Sequence, residues 1–228
     1  MTTRTICTCL SLFFFLVAII ADGHGTTDAD PSSSDPDGII SRLNRENSTS
    51  VLRLIPMGRL SMGEPRSRLL FRERGSGKTL WSATIYQIEV GQWSGDHKAL
   101  ALADSHTESF FKGRDRYFNL VSRLIVWRKG EGRVVLDKLP VLKHSEFISR
   151  LSWSSDNRRL LVLHATSQGS ASIGIYQGWC LRIRDRRVTR LGGVGNARWI
   201  GPKRVRYQSL RYDPKKGNIQ KIIETSVP

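Results

Sequence analysis

The sequence predicts an all-β repeat fold, and two observations support this prediction. A short phrase, Trp93-Ser94-Gly95-Asp96, returns sixty positions later as Trp153-Ser154-Ser155-Asp156. Around both copies, short apolar segments alternate with turns that contain glycine or charged residues. Repeated units of this kind are typical of propeller-like arrays. We therefore expect a short or incomplete β-propeller of about four blade equivalents, built from antiparallel hairpins, with an open β-sandwich-like array as the alternative.

Four segments have the pattern of a β-hairpin, in which an apolar strand, a charged turn and a second strand follow one another. They are residues 67–80, 122–136, 181–191 and 210–219. Strands that end in Trp93, Trp153 and Trp199 separate successive hairpins, and residues 51–55 supply an opening strand. This order predicts four repeating units of unequal size.

The repeated phrase also resembles a known family. Trp-Ser-x-Asp followed by a basic residue and Leu-x-Leu is similar to the Trp-Ser-Pro-Asp-Gly-Lys-x-Leu-Ala phrase of TolB-type and related Trp-Asp-repeat β-propellers. The resemblance covers about residues 85–207, and the chain has His97 and Asn157 where the family has glycine. A large Trp ends one strand, while Ser and Asp turn the chain by bonding to their own backbone. We therefore expect the residues of the phrase to form the fold rather than to bind a ligand: Trp93, Asp96, Trp153, Asp156 and Trp199.

The amino terminus has the pattern of a secretory signal, residues 1–25. Arg4 precedes an apolar run that ends at Ala21, and small residues follow. The run is about 16 residues long, below the roughly 20 that a spanning helix needs. We expect cleavage between Ala21 and Gly25 and export to the periplasm or the extracellular space, with no stable transmembrane span afterwards; an uncleaved anchor is the alternative. Residues 26–48, rich in Asp, Ser and Pro, predict a disordered linker before the repeat domain at 49–228.

The chain is strongly basic, with a formal net charge of +16 at pH 7. Without its first 40 residues it holds 35 basic and 15 acidic residues, so the repeat domain is more basic still. A positive field attracts polyanions such as acidic polysaccharide or anionic lipid head groups. Export disfavours nucleic acid as the partner. Arg182 and Arg184 belong to an Arg-rich hairpin, and strand alternation would place them on the same face.

Two further segments are candidate binding surfaces. The connection at 138–148 is longer than its counterpart in the next unit, and insertions in repeat folds often collect on a binding face; its polar residues are Lys143, His144 and Glu146. At 110–118, aromatic residues alternate with cations, which suits stacking on sugars and contact with phosphates. The alternatives are a solvated crossover for the first segment and packing between blades for the second. The candidates in the second segment are Phe110, Phe111, Lys112, Arg114, Arg116 and Tyr117.

The sequence shows no motif typical of a catalytic site, a cofactor site or a metal site. The segment Gly75 to Thr79 lacks the first glycine of a phosphate-binding loop, no Gly-x-Ser-x-Gly elbow occurs, and the histidines stand singly. Cys180 is the single cysteine after the signal, and its apolar strand pattern predicts a buried, inert thiol.

We predict a non-enzymatic binding or scaffold module of the cell envelope or extracellular space, without cofactor, that docks a protein partner. The alternatives are a polyanion or carbohydrate binder and a hydrolase or lyase with loop-borne catalytic residues; dimerisation is open because four blades is the lower limit for closure.

Overall fold

The structure, a computed structural model, describes residues 36–59, 65–136, 146–166, 176–213 and 217–228. Within these ranges the chain forms one helix, α1 (Pro36–Glu46), and three antiparallel sheets joined in chain order. The first sheet holds β1 (Ser50–Arg59), β2 (Pro65–Glu73) and β3 (Thr79–Ile85). The second holds β4 (Gln87–Trp93), β5 (Ala99–Lys112), β6 (Asp115–Arg128) and β7 (Gly132–Leu136). The third holds β8 (Glu146–Trp153), β9 (Arg159–Thr166), β10 (Tyr176–Arg182), β11 (Arg187–Gly201), β12 (Arg204–Asp213) and β13 (Gly217–Ser226).

The sheets divide into four blades that pack face to face. Blade 1 is β1 to β3, blade 2 is β4 to β7, blade 3 is β8 to β10 with the first part of β11, and blade 4 is the rest of β11 with β12 and β13. Alternation along the strands gives blades 2 and 3 two apolar faces each. Blade 2 turns Leu102 toward blade 1 and α1, and it turns Ala101 toward Val162 of blade 3. The predicted all-β, incomplete propeller is therefore confirmed.

Strand β11 belongs to two blades. Its first part pairs with β10 from Arg187 to Val194, and its second part pairs with β12 from Val194 to Gly201. The turns before and after β11 border one cavity, so the strand bends along its length. Gly192, with φ of +85°, and Asn196, with φ of +49°, supply the left-handed backbone within this bend.

The Trp-Ser-x-Asp phrase forms the same turn in blades 2 and 3. In blade 2, Ser94 Oγ donates to Asp96 Oδ1 at 2.6 Å, and the same oxygen accepts the backbone N–H of Lys98 at 3.1 Å. Ser154, Asp156 and Arg158 repeat both bonds in blade 3, at 2.6 and 3.2 Å. His97 and Asn157 both have φ of +55°, in the left-handed region where glycine is favoured. Each aspartate therefore accepts two hydrogen bonds within its own turn.

Each tryptophan of the phrase connects its blade to the element before it. Trp153 Nε1 donates to the carbonyl of Gln92 at 3.1 Å, and Trp199 Nε1 donates to the carbonyl of Ser152 at 2.8 Å. In both cases the acceptor is the residue immediately before the tryptophan of the preceding blade. Trp93 Nε1 donates instead to the carbonyl of Leu43 in α1, at 2.9 Å. Helix α1 therefore supplies the acceptor that a preceding blade would supply.

Helix α1 corrects the prediction of disorder through residue 48. Ile39, Ile40 and Leu43 lie on one side of the helix and pack into the core between blades 1 and 2. Pro36 at the first helical position and Asp37 in the first turn favour helix initiation. The aspartates and serines around this short apolar stripe hide it in the sequence. Residues 26–35 of the predicted linker, like the signal at 1–25, lie outside the described residues.

The two end blades carry exposed apolar as well as polar residues: Ile55, Met57 and Leu80 are exposed on blade 1, and Ile219 and Ile222 are exposed on blade 4. Arg198, Arg206 and Glu224 share the outer face of blade 4 through their pairing register. On blade 1, Arg53 and Ser82 occupy the outer face. Strands of blade 2 contact β8 of blade 3 extensively, and α1 contacts both β1 of blade 1 and β4 of blade 2. Within the described ranges, no extensive contact joins a strand of blade 1 to a strand of blade 4. The described part of the arc is therefore open between blades 1 and 4.

No helix within the described part of the chain has the length and apolar character needed to cross a membrane.

Candidate anion-binding cleft

Turns from blades 2, 3 and 4 surround a cavity of about 790 Å³, here called the basic cleft. They are the turns after β6, β8, β10 and β11, which gather at one end of the blades. The lining side chains are all charged. They comprise six cations, Arg128, Arg158, Arg159, Arg182, Arg184 and Lys203, and three acids, Glu131, Asp156 and Asp185.

Each acid of the basic cleft is bound by one cation of its own turn. Arg128 Nη1 lies 3.0 Å from a Glu131 carboxylate oxygen, and Arg159 Nη1 lies 3.0 Å from Asp156 Oδ2. Arg182 Nε donates to Asp185 Oδ1 at 2.8 Å, and its Nη2 contacts the other oxygen. Arg159 is 5% exposed and also donates to the carbonyl of Pro228 at 3.1 Å. Three of the six cations are therefore neutralised locally.

Two of these carboxylates have lowered pKa values. The hydrogen bond from Arg182 lowers the pKa of Asp185 to about 2. For Asp156, burial is the largest effect and opposes ionisation, but the hydrogen bonds from Ser154 and Arg158 and the charge of Arg159 together lower its pKa. These two acids are therefore ionised at neutral pH and keep their cations occupied.

The other three cations of the basic cleft are available to a ligand. Arg158, Arg184 and Lys203 are exposed, and within the described residues their side chains make no hydrogen bond or ion pair. They come from three different turns, and they give the cavity a formal charge of +3, since six cations face three acids. Arginine binds carboxylate and phosphate groups through two parallel hydrogen bonds. The basic cleft is therefore suited to an anion that carries several charges.

A second cavity, one blade earlier, shows what is particular to the basic cleft. It measures about 610 Å³ and lies between the turns of blades 1 and 2. Lys98 there corresponds to Arg158, but Gly130 stands where the basic cleft has Arg184. Its three cations, Lys98, Arg128 and Lys129, face two acids, Glu73 and Asp96, for a formal charge of +1. The repeat therefore provides both cavities, and individual substitutions make one of them basic.

The predicted binding residues fall at two separate ends of the blades. Arg182 and Arg184 lie in the basic cleft, with Ile183 buried between them. The segment 110–118 lies at the opposite end, because β5 runs away from the turn at 94–98. Most of this segment is strand: Phe110, Phe111 and Lys112 end β5, Arg116 and Tyr117 belong to β6, and Gly113 with Arg114 forms a two-residue turn. Phe111 is 70% exposed, so its ring does not pack between blades.

The predicted insertion at 138–148 is shorter than expected. Glu146, Phe147 and Ile148 already belong to β8, because they pair with β9 from Thr166 onward. Lys143 and His144 lie outside the described residues. Sequence reasoning missed Arg158 and Lys203, although each lies within two positions of a turn signal: Arg158 follows Trp-Ser-x-Asp after one residue, and Lys203 directly follows Gly-Pro.

The histidines and the cysteine of the described chain, which could bind a metal or act in catalysis, lie apart from one another. Within the described ranges, no cluster of His, Cys, Asp and Glu could hold a metal ion. His97 is exposed in its turn, whereas His164 is buried and accepts the indole N–H of Trp179. Burial raises the pKa of the Cys180 thiol to about 12, as an inert thiol requires.

Fold and cleft together define a partial β-propeller with a charged turn face. No family model matches the chain, and no curated protein matches it. Among solved structures, the β-propeller domain of the Trilobed protease from Pyrococcus furiosus is similar, with 12% identity over 79% of this chain and 52% of that chain, at a TM-score of 0.43. Porphyromonas gingivalis dipeptidyl peptidase 4 has 11% identity over 75% of this chain and 31% of that chain, at a TM-score of 0.43. A putative dipeptidyl aminopeptidase IV from Bacteroides ovatus has 11% identity over 78% of this chain and 30% of that chain, at a TM-score of 0.41.

The chain thus spans about half of the first structure and under a third of the other two. The first structure is a β-propeller domain of a protease, and the other two are peptidases by name. The resemblance to TolB-type repeats stays a prediction.

Proposed function

We propose that the protein is an exported, non-enzymatic binding module that docks an acidic segment of a protein partner in the basic cleft. The observation that carries this proposal is the presence of three available cations, Arg158, Arg184 and Lys203, around one open cavity. Carboxylates at intervals along a peptide would meet these cations in turn. The lining side chains are charged and not aromatic, which favours a peptide carboxylate over a sugar ring as the ligand.

The proposal is tested with a fluorescent oligoglutamate peptide as the probe and anisotropy as the measurement. The triple variant Arg158→Ala, Arg184→Gly, Lys203→Ala should weaken binding at least tenfold, since each charge contact contributes on the order of 1 kcal/mol. Arg184→Gly introduces the residue that stands at the equivalent place in blade 2. The slope of affinity against salt should also become shallower, because fewer charge contacts are made.

The matched control removes Lys98 and Lys129 from the neighbouring cavity. If this control weakens binding as much as the triple variant, the overall charge of the protein and not the cleft binds the probe. A constant affinity in the triple variant would contradict the proposal directly.

The second candidate function is polyanion binding by the same three cations, because guanidinium groups also match phosphate. Inorganic polyphosphate of equal charge distinguishes the two. Tighter binding of polyphosphate than of oligoglutamate, retained well above physiological salt, would favour the polyanion.

Export is tested separately from binding. When the full chain is expressed in a bacterium with a periplasm, the exported product should lack the first 21 to 25 residues by mass. Full-length protein confined to the cytoplasm would contradict the proposed compartment.

A further inference from the structure

Strands β5 and β6 extend well beyond the rest of blade 2. They pair without interruption from Ala99 with Arg128 to Lys112 with Asp115. Strand β4 accompanies β5 only to Ser105, and β7 accompanies β6 only between Leu124 and Arg128. Residues 106–121 therefore form a two-stranded arm, seven residues long on each side, that projects about 24 Å at 3.4 Å per residue.

The tip of this arm combines an exposed aromatic ring with cations. Phe111 is 70% exposed, the largest value among the exposed large hydrophobic residues of the described chain. Lys112, Arg114 and Arg116 surround it and are exposed, with Asp115 as the acid at the tip. Arg116 Nη2 donates across the arm to Ser109 Oγ at 3.0 Å, which links the two strands below the ring.

An exposed ring beside cations at the end of a narrow arm suits the interface of an anionic bilayer. Aromatic rings favour the boundary between head groups and acyl chains, and nearby Lys and Arg are attracted to anionic lipids. The arm reaches farther than β4 and β7, so its tip is placed to meet a flat surface ahead of the other strands of blade 2. A soluble protein partner would need a groove shaped to enclose the Phe111 ring. An anionic bilayer needs no such groove, because its charge attracts the cations and its acyl chains admit the ring.

We propose that the arm attaches the protein to anionic lipid surfaces, with Phe111 entering the interface and Lys112 and Arg114 contacting the head groups. This attachment is independent of the basic cleft, which lies at the other end of the blades and stays accessible to a partner.

The test is flotation of the full chain with vesicles of phosphatidylcholine alone or mixed with phosphatidylglycerol. The protein should float with the mixed vesicles, and Phe111→Ser should lower its partition coefficient about tenfold, while Phe111→Trp retains it. The matched control is Ile222→Ser on β13, because Ile222 is 67% exposed but lies away from the arm. This control should float like the parent protein.

Three results would overturn the proposal. The first is no flotation with mixed vesicles. The second is unchanged flotation of Phe111→Ser, which would assign attachment to overall charge. The third is loss of flotation in the triple variant of the basic cleft, which would place the lipid there. Equal thermal stability of parent and Phe111→Ser proteins shows that the comparison concerns folded protein.

Discussion

Glu89 should make the stability of the fold fall as the pH rises, and Glu89→Gln should remove this effect. Glu89 is the extra residue of a β-bulge in β4, where the register shifts between Ile88 and Val90. Ser105 donates to its Oε1, while Oε2 is buried and has no hydrogen-bond partner among the described residues. Burial, helped by the charge of Asp104 and opposed by hydrogen bonds from Ser105 and from the backbone of Ile148, raises the pKa of Glu89 to about 7.

The size of the effect follows from this pKa. The ordinary value for this carboxyl is 4.5, so the folded protein retains a proton that the unfolded chain releases between about pH 4.5 and 7. The contribution to stability is therefore complete below pH 4.5 and is lost as the pH rises through 7. Over this range the free energy of unfolding should fall by about 3 kcal/mol through Glu89 alone.

A second group acts in the opposite direction in nearly the same range. Burial, with a contribution from the charge of Arg190, lowers the pKa of His164 to about 4 from 6.5. The unfolded chain therefore binds a proton at His164 that the folded protein excludes, and stability rises with pH between about 4 and 6.5. The parent protein alone can thus show a nearly flat profile. The informative quantity is the difference between parent and Glu89→Gln proteins at each pH.

The assay is urea unfolding of both proteins at intervals between pH 5 and pH 8. Glutamine resembles the protonated acid, so the two proteins should be similar at pH 5, and the variant should be more stable by up to about 3 kcal/mol at pH 8. Glu73→Gln, at an exposed carboxylate whose side chain accepts a hydrogen bond from the Ser76 hydroxyl, is the control and should give a difference independent of pH. A constant difference for Glu89→Gln across the range would refute the reasoning.

Three further predictions concern packing and reactivity. Trp153→Phe should destabilise the protein by about 1 kcal/mol more than Trp81→Phe in urea unfolding, because Trp153 donates to Gln92 and the Trp81 indole N–H has no partner; equal losses would contradict the role of the bond. Gly91→Ala should lower the free energy of unfolding by about 1–3 kcal/mol, since its Cβ would lie 2.6 Å from Leu102 Cδ2 and 2.8 Å from Leu43 Cδ1. Gly75→Ala, with no atom near its Cβ, is the control and should be nearly neutral. Cys180 should react with a thiol reagent at pH 8 only as fast as the protein opens, and rapid labelling of the native protein would contradict its burial.

The sequence predicts the parts of this fold that rest on local chemistry. Turns at 94–98 and 154–158 follow from Ser and Asp bonding to nearby backbone, and the four hairpins follow from apolar alternation around charged turns. Helix α1 does not follow, because three apolar residues in a polar segment are a weak signal until Trp93 and Gly91 contact them. Which carbonyl each indole N–H reaches depends on how the blades pack, and the spacing of the tryptophans in the sequence does not reveal it.

The candidate site is less predictable than the fold for a similar reason. Arg182 and Arg184 stand out in an Arg-rich hairpin, but their value to a ligand depends on which cations are already paired. Asp185 occupies Arg182 and leaves Arg184 available, a difference that only the turn geometry decides. Arg158 and Lys203 come to the same cavity from other turns, across 45 positions of sequence.

The indole bonds make each tryptophan-bearing blade depend on the element before it in the chain. Trp153 needs a carbonyl that β4 has already positioned, and Trp199 needs one that β8 has positioned. A blade can therefore dock as soon as the element before it is in place, which matches the order in which a chain is synthesised. The first of these three bonds joins Trp93 to Leu43 of α1. Within the described chain, none of the three indoles donates to a carbonyl of blade 4. Loss of α1 should consequently disturb the arc from its beginning, whereas loss of blade 4 should leave the earlier bonds in place.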